Sequence, residues 1–158
     1  MDLKILVMYD SVSPGKNTEK VATAISEALR EKSFDVSCLS VSSFDKSNLK
    51  NYDCILVGSP TMGWSATAPI KQLLKNFTDN EFSGKYAAAF DTRVKSRLSG
   101  QASKGIQERL EKLGFKIITP PLFAYVEGST QKNNYTLKEG ELDKVKKYAD
   151  DLAQALQK

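Results

Sequence analysis

The sequence predicts an α/β fold, a three-layer sandwich whose five-stranded parallel sheet runs in the order 2-1-3-4-5 with helices on both faces. Three observations predict it. Apolar runs take turns with helical-period runs along the whole chain. Four of the five apolar runs are largely continuous, as strands covered on both faces must be. No Gly/Ser-rich linker, internal repeat or low-complexity tract interrupts the alternation. The 158 residues therefore read as one domain, 1–158, long enough to bury roughly 70% of the surface its unfolded chain exposes.

Each element has its own justification. Residues 3–9 form the first strand, and the helix at 18–30 places Val21, Ile25 and Leu29 four apart on one face. The second strand spans 35–41, and a short helical turn near 46–50 supplies the next crossover. The third strand is 54–59. After it, a helix at 68–77 puts Ile70, Leu73, Leu74 and Phe77 on one side, with Pro69 in its first turn, where a missing NH costs little. The fourth strand is 86–91. A helix at 103–113 gathers Ile106, Leu110 and Leu113 and stops at Gly114, a natural C-cap. The fifth strand is 122–127, and the helix at 139–156 carries Leu142, Val145, Ala149, Leu152 and Leu156 along one stripe. Right-handed crossovers follow from the parallel sheet. Strand one then separates the strands bearing Cys38 and Cys54 by roughly 10 Å, too far for a disulfide, so both are expected as buried thiols. A ligand should bind beyond the carboxyl ends of strands one and three, where the winding reverses.

Composition narrows the chemistry. The chain has no histidine and only two cysteines, which excludes Ser-His-Asp and Cys-His nucleophilic sites, His-ligated metals and four-thiolate clusters. Redox chemistry here points to a bound organic cofactor. The first apolar run, residues 5–9, is too short for a signal segment or a membrane span, so a soluble, cytoplasmic protein without membrane association is expected. Residues 1–80 carry equal numbers of basic and acidic side chains, and the net charge of +4 arises entirely in the second half. Residues 93–116 hold Arg93, Lys95, Arg97, Lys104, Arg109, Lys112 and Lys116 against Glu108 and Glu111, a local net of +5. That stretch is either an anion-facing surface or the solvated face of a helix. It lacks the interleaved aromatics of a single-strand nucleic-acid platform, so no nucleic acid is expected.

Two loops stand at the switch point. In the first, residues 10–18, Ser11, Ser13, Asn17 and Thr18 offer side-chain donors beside Lys16. Gly15 lets a backbone approach closely, and the following helix adds free NH groups and a dipole that favours a dianion. A polar turn with Thr18 as N-cap is the alternative. A Walker loop is excluded, because Asp10 stands where its first glycine belongs and Gly15-Lys16 is followed by Asn17. A phospho-accepting receiver is excluded by Gly58-Ser59-Pro60 after strand three and Asp91-Thr92 after strand four. In the second loop the glycines and Pro60 mark a tight turn, while Met62 and the only tryptophan, Trp64, offer surface for a ring.

The loop 11–18 leading into Glu19-Lys20-Val21-Ala22, paired with Gly58-Ser59-Pro60-Thr61 and Pro69-Ile70-Lys71, resembles the flavodoxin family over the whole chain. The resemblance implies FMN as cofactor. Ser11, Ser13, Gly15, Lys16, Asn17 and Thr18 then hold the ribityl phosphate, and Ser59, Pro60, Thr61, Met62, Gly63 and Trp64 wrap the isoalloxazine ring. Gly63 eases the turning of a peptide carbonyl toward the flavin on reduction. Trp64 is expected to stack on the ring, although the family's usual aromatic position corresponds to Met62, and an exposed docking role for Trp64 is the competing reading. The third loop departs from the family, with no aromatic residue between 91 and 100. Asp91, Thr92 and Arg93 are expected at the ring edge or its pyrimidine oxygens, unless this is simply a basic solvent loop. Replacing the family's acidic neighbours with Arg93, Lys95 and Arg97 should make the potential for the second electron less negative. The resemblance implies a carrier of electrons between redox partner proteins, and the basic stretch adds the expectation of an acidic docking face on them. The alternative is an FMN-dependent NAD(P)H or quinone reductase of the same fold, for which only residues 128–140 are long enough to serve as a lid. An intact phosphate loop argues against a third class, a module that has lost its flavin.

Overall fold

A computed structural model describes residues 3–12, 14–96, 100–129 and 131–157. In chain order the elements are β1 (Lys4–Tyr9), α1 (Asn17–Glu31), β2 (Asp35–Ser40), β3 (Cys54–Pro60), α2 (Ala68–Lys75), β4 (Tyr86–Val94), α3 (Ala102–Lys112), β5 (Lys116–Ile117), β6 (Leu122–Glu127), β7 (Thr136–Leu137) and α4 (Glu141–Gln157). The sheet runs β2-β1-β3-β4-β6-β7, with β5 also paired to β4. Its β2-β1-β3-β4-β6 portion is parallel and reproduces the expected order. Two short strands add to it. β5 extends the parallel pairing of β4, and β7 returns antiparallel to β6.

The continuous apolar strands are explained by two cores, one on each face of the sheet. Along β1, Ile5 and Val7 turn to one core while Leu6 and Met8 turn to the other; Leu56 and Val57 of β3 divide in the same way, as do Phe90 and Ala89 of β4. Successive side chains of a strand point to opposite faces, so a strand covered on both sides has no polar alternate. The first core is closed by Val21, Ile25 and Leu29 of α1 and Val145 and Leu152 of α4. The second is closed by Ile70 and Leu74 of α2 and Ile106 and Leu110 of α3. No helix among the described residues is long and apolar enough to cross a membrane.

Local signals mostly hold. Gly114 follows α3 with φ +97, and its N–H donates to Glu111 O while that of Phe115 donates to Leu110 O, a Schellman closure. The crossover from β2 to β3 is made by two 3₁₀ turns, Val41–Ser43 and Lys46–Asn51, capped by the side chains of Ser40 and Asp45. Thr18 does not cap α1; it lies inside the helix, and Lys16 occupies the N-cap.

Val7 of β1 pairs with Cys38, Ile5 pairs with Cys54, and both cysteines are free. Cys54 is buried, whereas Cys38 is only half-buried because β2 is the edge of the sheet. Burial pushes the Cys54 thiol up to about 12. The Tyr9 phenol also rises to about 12, through burial and its hydrogen bond to Glu19, and burial raises Tyr148 as well. Groups raised in the folded state stabilise it below their unfolded values, and that contribution is lost as pH rises through the folded values. With no histidine, urea midpoints should be flat from about pH 6 to 8 and fall from about pH 9 upward. A midpoint still constant at about pH 11 would count against these placements.

Candidate functional site

Beyond the carboxyl ends of β1, β3 and β4 lies a cleft of about 460 Å³, within the usual range for a cofactor site. Asn17, Thr18 and Thr92 supply its polar lining, and Val12, Pro60, Met62, Val94, Val126 and Tyr135 supply apolar walls. Thr61, Arg93 and Asn133 complete it.

At one end the cleft meets the N-terminus of α1. Lys16 caps the helix in the left-handed region, φ 51, and makes no side-chain capping bond. The first backbone bond into the helix is Lys20 N–H to Lys16 O, so the N–H groups of Asn17, Thr18 and Glu19 have no acceptor within the helix. Asn17 and Thr18 are nonetheless buried, 4% and 1% exposed. The hydroxyls of Thr18 and Thr92 join at 2.8 Å, tying α1 to β4. Asn17 donates through Nδ2 to Tyr135 O at 3.0 Å, while its Oδ1 is buried without a partner among the described residues. The donor set suits a phosphorylated polyol. Unspent N–H groups at a positive helix end take a dianion, and an orphaned amide oxygen takes a hydroxyl.

The second loop is a two-residue turn. Met62 N–H donates to Ser65 O at 2.8 Å and Ser65 N–H to Met62 O at 3.1 Å, and both central residues have positive φ, 54 for Gly63 and 69 for Trp64. This is type I′ geometry, and it places a bulky tryptophan where a Cβ costs about 1 kcal/mol or more. Met62 and Trp64 are 52% and 68% exposed. The loop is fastened at both ends. Thr61 N–H donates to Thr92 O at 2.9 Å, and Thr67 donates to Asp10 Oδ2 at 2.6 Å. Trp64 also bridges to Gly100.

Of the expected site residues, Asn17, Thr18, Pro60, Thr61, Met62, Thr92 and Arg93 line the cleft. Ser11, Gly15, Lys16, Gly63 and Trp64 belong to its two loops without lining it, and Ser13 lies outside the described residues. Two expected residues lie in the strands and off the cleft lining. Ser59 is buried inside β3, where its hydroxyl donates to Pro60 O and accepts from Thr67 N–H, so it braces the loop. Asp91 is fully buried in β4 and accepts from Arg93 Nε at 2.9 Å, from Arg93 Nη2 at 2.6 Å and from Ser103 N–H at 2.8 Å. Its carboxylate is spent on these partners. Arg93 is thereby held, with its guanidinium 4.4 Å above the Phe123 ring.

The close approach at Gly15 comes from the chain itself, since a Cβ there would lie 2.4 Å from Tyr135 O. Val12, Val94, Val126, Asn133 and Tyr135 are cleft residues that sequence reasoning missed. For Val94 and Val126 the signal was available, because they continue the alternation of strands β4 and β6 past Thr92 and Ala124. For Asn133 and Tyr135 the only signal was the length of the loop.

A family model described as Flavodoxin matches residues 7–144. The probable flavodoxin 1 of Bacillus subtilis (strain 168) is 38% identical over 60 residues, which span 38% of this chain and only 37% of that relative. Among solved structures, oxidised flavodoxin 2 from Bacillus cereus superposes with a TM-score of 0.81 at 24% identity, covering 96% of this chain and 98% of that one. A flavodoxin from the domain Archaea gives 0.76 at 24% identity over 99% and 100%. At these identities the two structural likenesses speak for the fold.

Proposed function

Because the chain belongs to the flavodoxin family, whose members bind FMN, we propose that it is an FMN-binding carrier of electrons between redox partner proteins. The observation that carries the proposal is the buried, uncapped start of α1 opening into an apolar-walled cleft. Bound FMN supplies reversible electron transfer; the chain supplies binding, orientation and shielding. In this reading the N–H groups of Asn17, Thr18 and Glu19 hold the phosphate, with Ser11, Gly15 and Lys16 shaping the loop around it. Asn17 Oδ1 accepts from a ribityl hydroxyl. Pro60, Thr61 and Met62 line the ring end, with Gly63 and Trp64 at its rim. Thr92 and Arg93 form the opposite side. Met62 fits the wall and Trp64 the outer edge, so Trp64 divides between covering the ring and meeting a partner.

One observation favours the reductase alternative, an FMN-dependent NAD(P)H or quinone reductase: the segment 131–135 brings Asn133 and Tyr135 to the cleft. A visible spectrum separates the readings. The purified protein should be yellow, and neither NADH nor NADPH should bleach it within minutes under anaerobic conditions. Rapid bleaching by either nucleotide would make it a reductase, and a colourless protein that takes up no added FMN would reject both.

A further inference from the structure

A second concavity, about 270 Å³, lies between α2 and α3. Ala66, Ile70, Leu74, Ala102 and Ile106 make it apolar, and the basic side chains in its lining are Lys71, Lys75 and Arg109, with no carboxylate among its lining residues. The groove is preorganised. Arg109 reaches across from α3 and donates through Nε to Leu74 O at 3.2 Å and through Nη2 to Phe77 O at 2.9 Å, fixing the end of α2 against α3. Its remaining contact, Nη1 to an exposed Asp79 at 3.5 Å, is a weak surface pair.

Gly105 also lines the groove, within the helical part of α3. Glycine is among the poorest helix formers, and a Cβ at this position would meet nothing within 4 Å. Nothing in the packing of the described residues calls for it. The absent side chain leaves space on the groove side that another molecule's side chain can fill. The groove ends at Ser65 and Ala66, on the same loop whose Thr61 and Met62 line the cofactor cleft. An occupant of the groove therefore sits beside the loop that borders the cleft.

We propose that this groove is a docking site for an acidic protein segment, one that inserts an aliphatic or aromatic anchor over Gly105 while its carboxylates face Lys71, Lys75 and Arg109. The apolar interior provides the anchor's burial and the basic rim selects the charge. That the partner is a redox protein rests on the electron-carrier reading; the docking itself does not.

The probe is an amphipathic helical peptide with leucines four apart flanked by glutamates, titrated into ¹⁵N-labelled protein with FMN bound. Amide shifts should cluster at Ala66, Ile70, Gly105 and Ile106. Binding should weaken about tenfold or more between about 50 mM and 300 mM salt, and as much when lysines replace the peptide's glutamates. Gly105→Leu fills the space and should abolish the groove shifts while leaving the melting temperature no lower than that of the parent. No groove shifts at millimolar peptide, equal binding of the lysine peptide, or full binding by Gly105→Leu would each overturn the proposal. So would concentration-dependent shifts of the same amides without peptide, which would assign the groove to a second copy of the chain. A protein that binds the peptide but takes up no FMN would reject the carrier reading alone.

Discussion

Changing Arg93 to Met is expected to destabilise the fold by about 3–5 kcal/mol, the usual cost of leaving a buried charge without its partner. The side chains of Arg93 and Asp91 are 9% and 0% exposed and meet at 2.6 Å. Two guanidinium donors reach both carboxylate oxygens, and Ser103 N–H supplies a third hydrogen bond. Removing the arginine keeps Asp91 in a place where water cannot replace it. Removing both charges, as Asp91→Asn with Arg93→Met, should recover most of the loss, because an asparagine oxygen can still accept from Ser103 N–H and no charge remains to be solvated. Urea unfolding of the two variants provides the measurement. A single variant that loses under about 1 kcal/mol, or a double variant no better than the single, would show that the pair does not act as a buried unit.

The same pair revises the electrostatic expectation drawn from the basic stretch. Three cations near the cofactor were expected to favour an anionic reduced flavin. Arg93 is neutralised in place by Asp91, so its field largely cancels at any distance greater than the pair's own separation. Arg97 lies outside the described residues. Lys95 remains, exposed and 5.6 Å from the centre of the Tyr125 ring, and its influence is that of a screened surface charge.

Why the sequence did not reveal the pair is physical. Asp91 was read as the last residue of the fourth strand and Arg93 as part of the loop after it, where spacing carries no geometric meaning. β4 in fact runs on to Val94, and in a strand residues two apart share a face, which makes opposite charges at that spacing natural partners. The long apolar runs of β1, β3, β4 and β6 were legible because burial on both sides leaves a compositional mark. β5 and β7 are two residues each, too short for any period to register. Gly58 shows the same limit from another direction. It was placed in the third strand and also counted among the glycines of the loop that follows, but its role lies within β3, where a Cβ would come within 2.0 Å of the buried Phe90 ring. Nothing local tells a glycine that makes a turn from one that makes room for a side chain on the next strand. The 10–18 loop stood out for a different reason: small polar residues leading into an apolar helical period combine two independent signals at one place.

Gly15→Ala should weaken FMN binding about tenfold or more. Gly15 is not among the residues with positive φ, so alanine brings no left-handed strain there; its Cβ would stand 3.3 Å from Asn17 Nδ2 and meet one backbone atom much closer. That contact is severe, since the new Cβ would stand 2.4 Å from the carbonyl oxygen of Tyr135. On the other side, a Cβ on Gly128 would meet the Tyr135 Cα at 2.8 Å. The backbone of residues 134–135 is thus wedged between two glycines far apart in sequence, and the wedge holds Asn133 and Tyr135 at the cleft and Tyr135 O on the Asn17 amide. Relief of the overlap must move either this segment or the start of α1. Moving the segment removes a wall of the cleft and the bond that orients Asn17; moving the helix misplaces the N–H groups proposed to hold the phosphate. Overpacking of this kind costs about 1–3 kcal/mol, and 1.4 kcal/mol is tenfold in affinity. Titrating FMN into apoprotein, followed by quenching of flavin fluorescence, measures the effect. Gly128→Ala should weaken binding in the same direction with a larger loss of stability, because its φ of +153 adds backbone strain to the clash. Wild-type affinity in both variants would mean that the 131–135 segment is no part of the cofactor site, and that the orphaned oxygen of Asn17 is positioned without it.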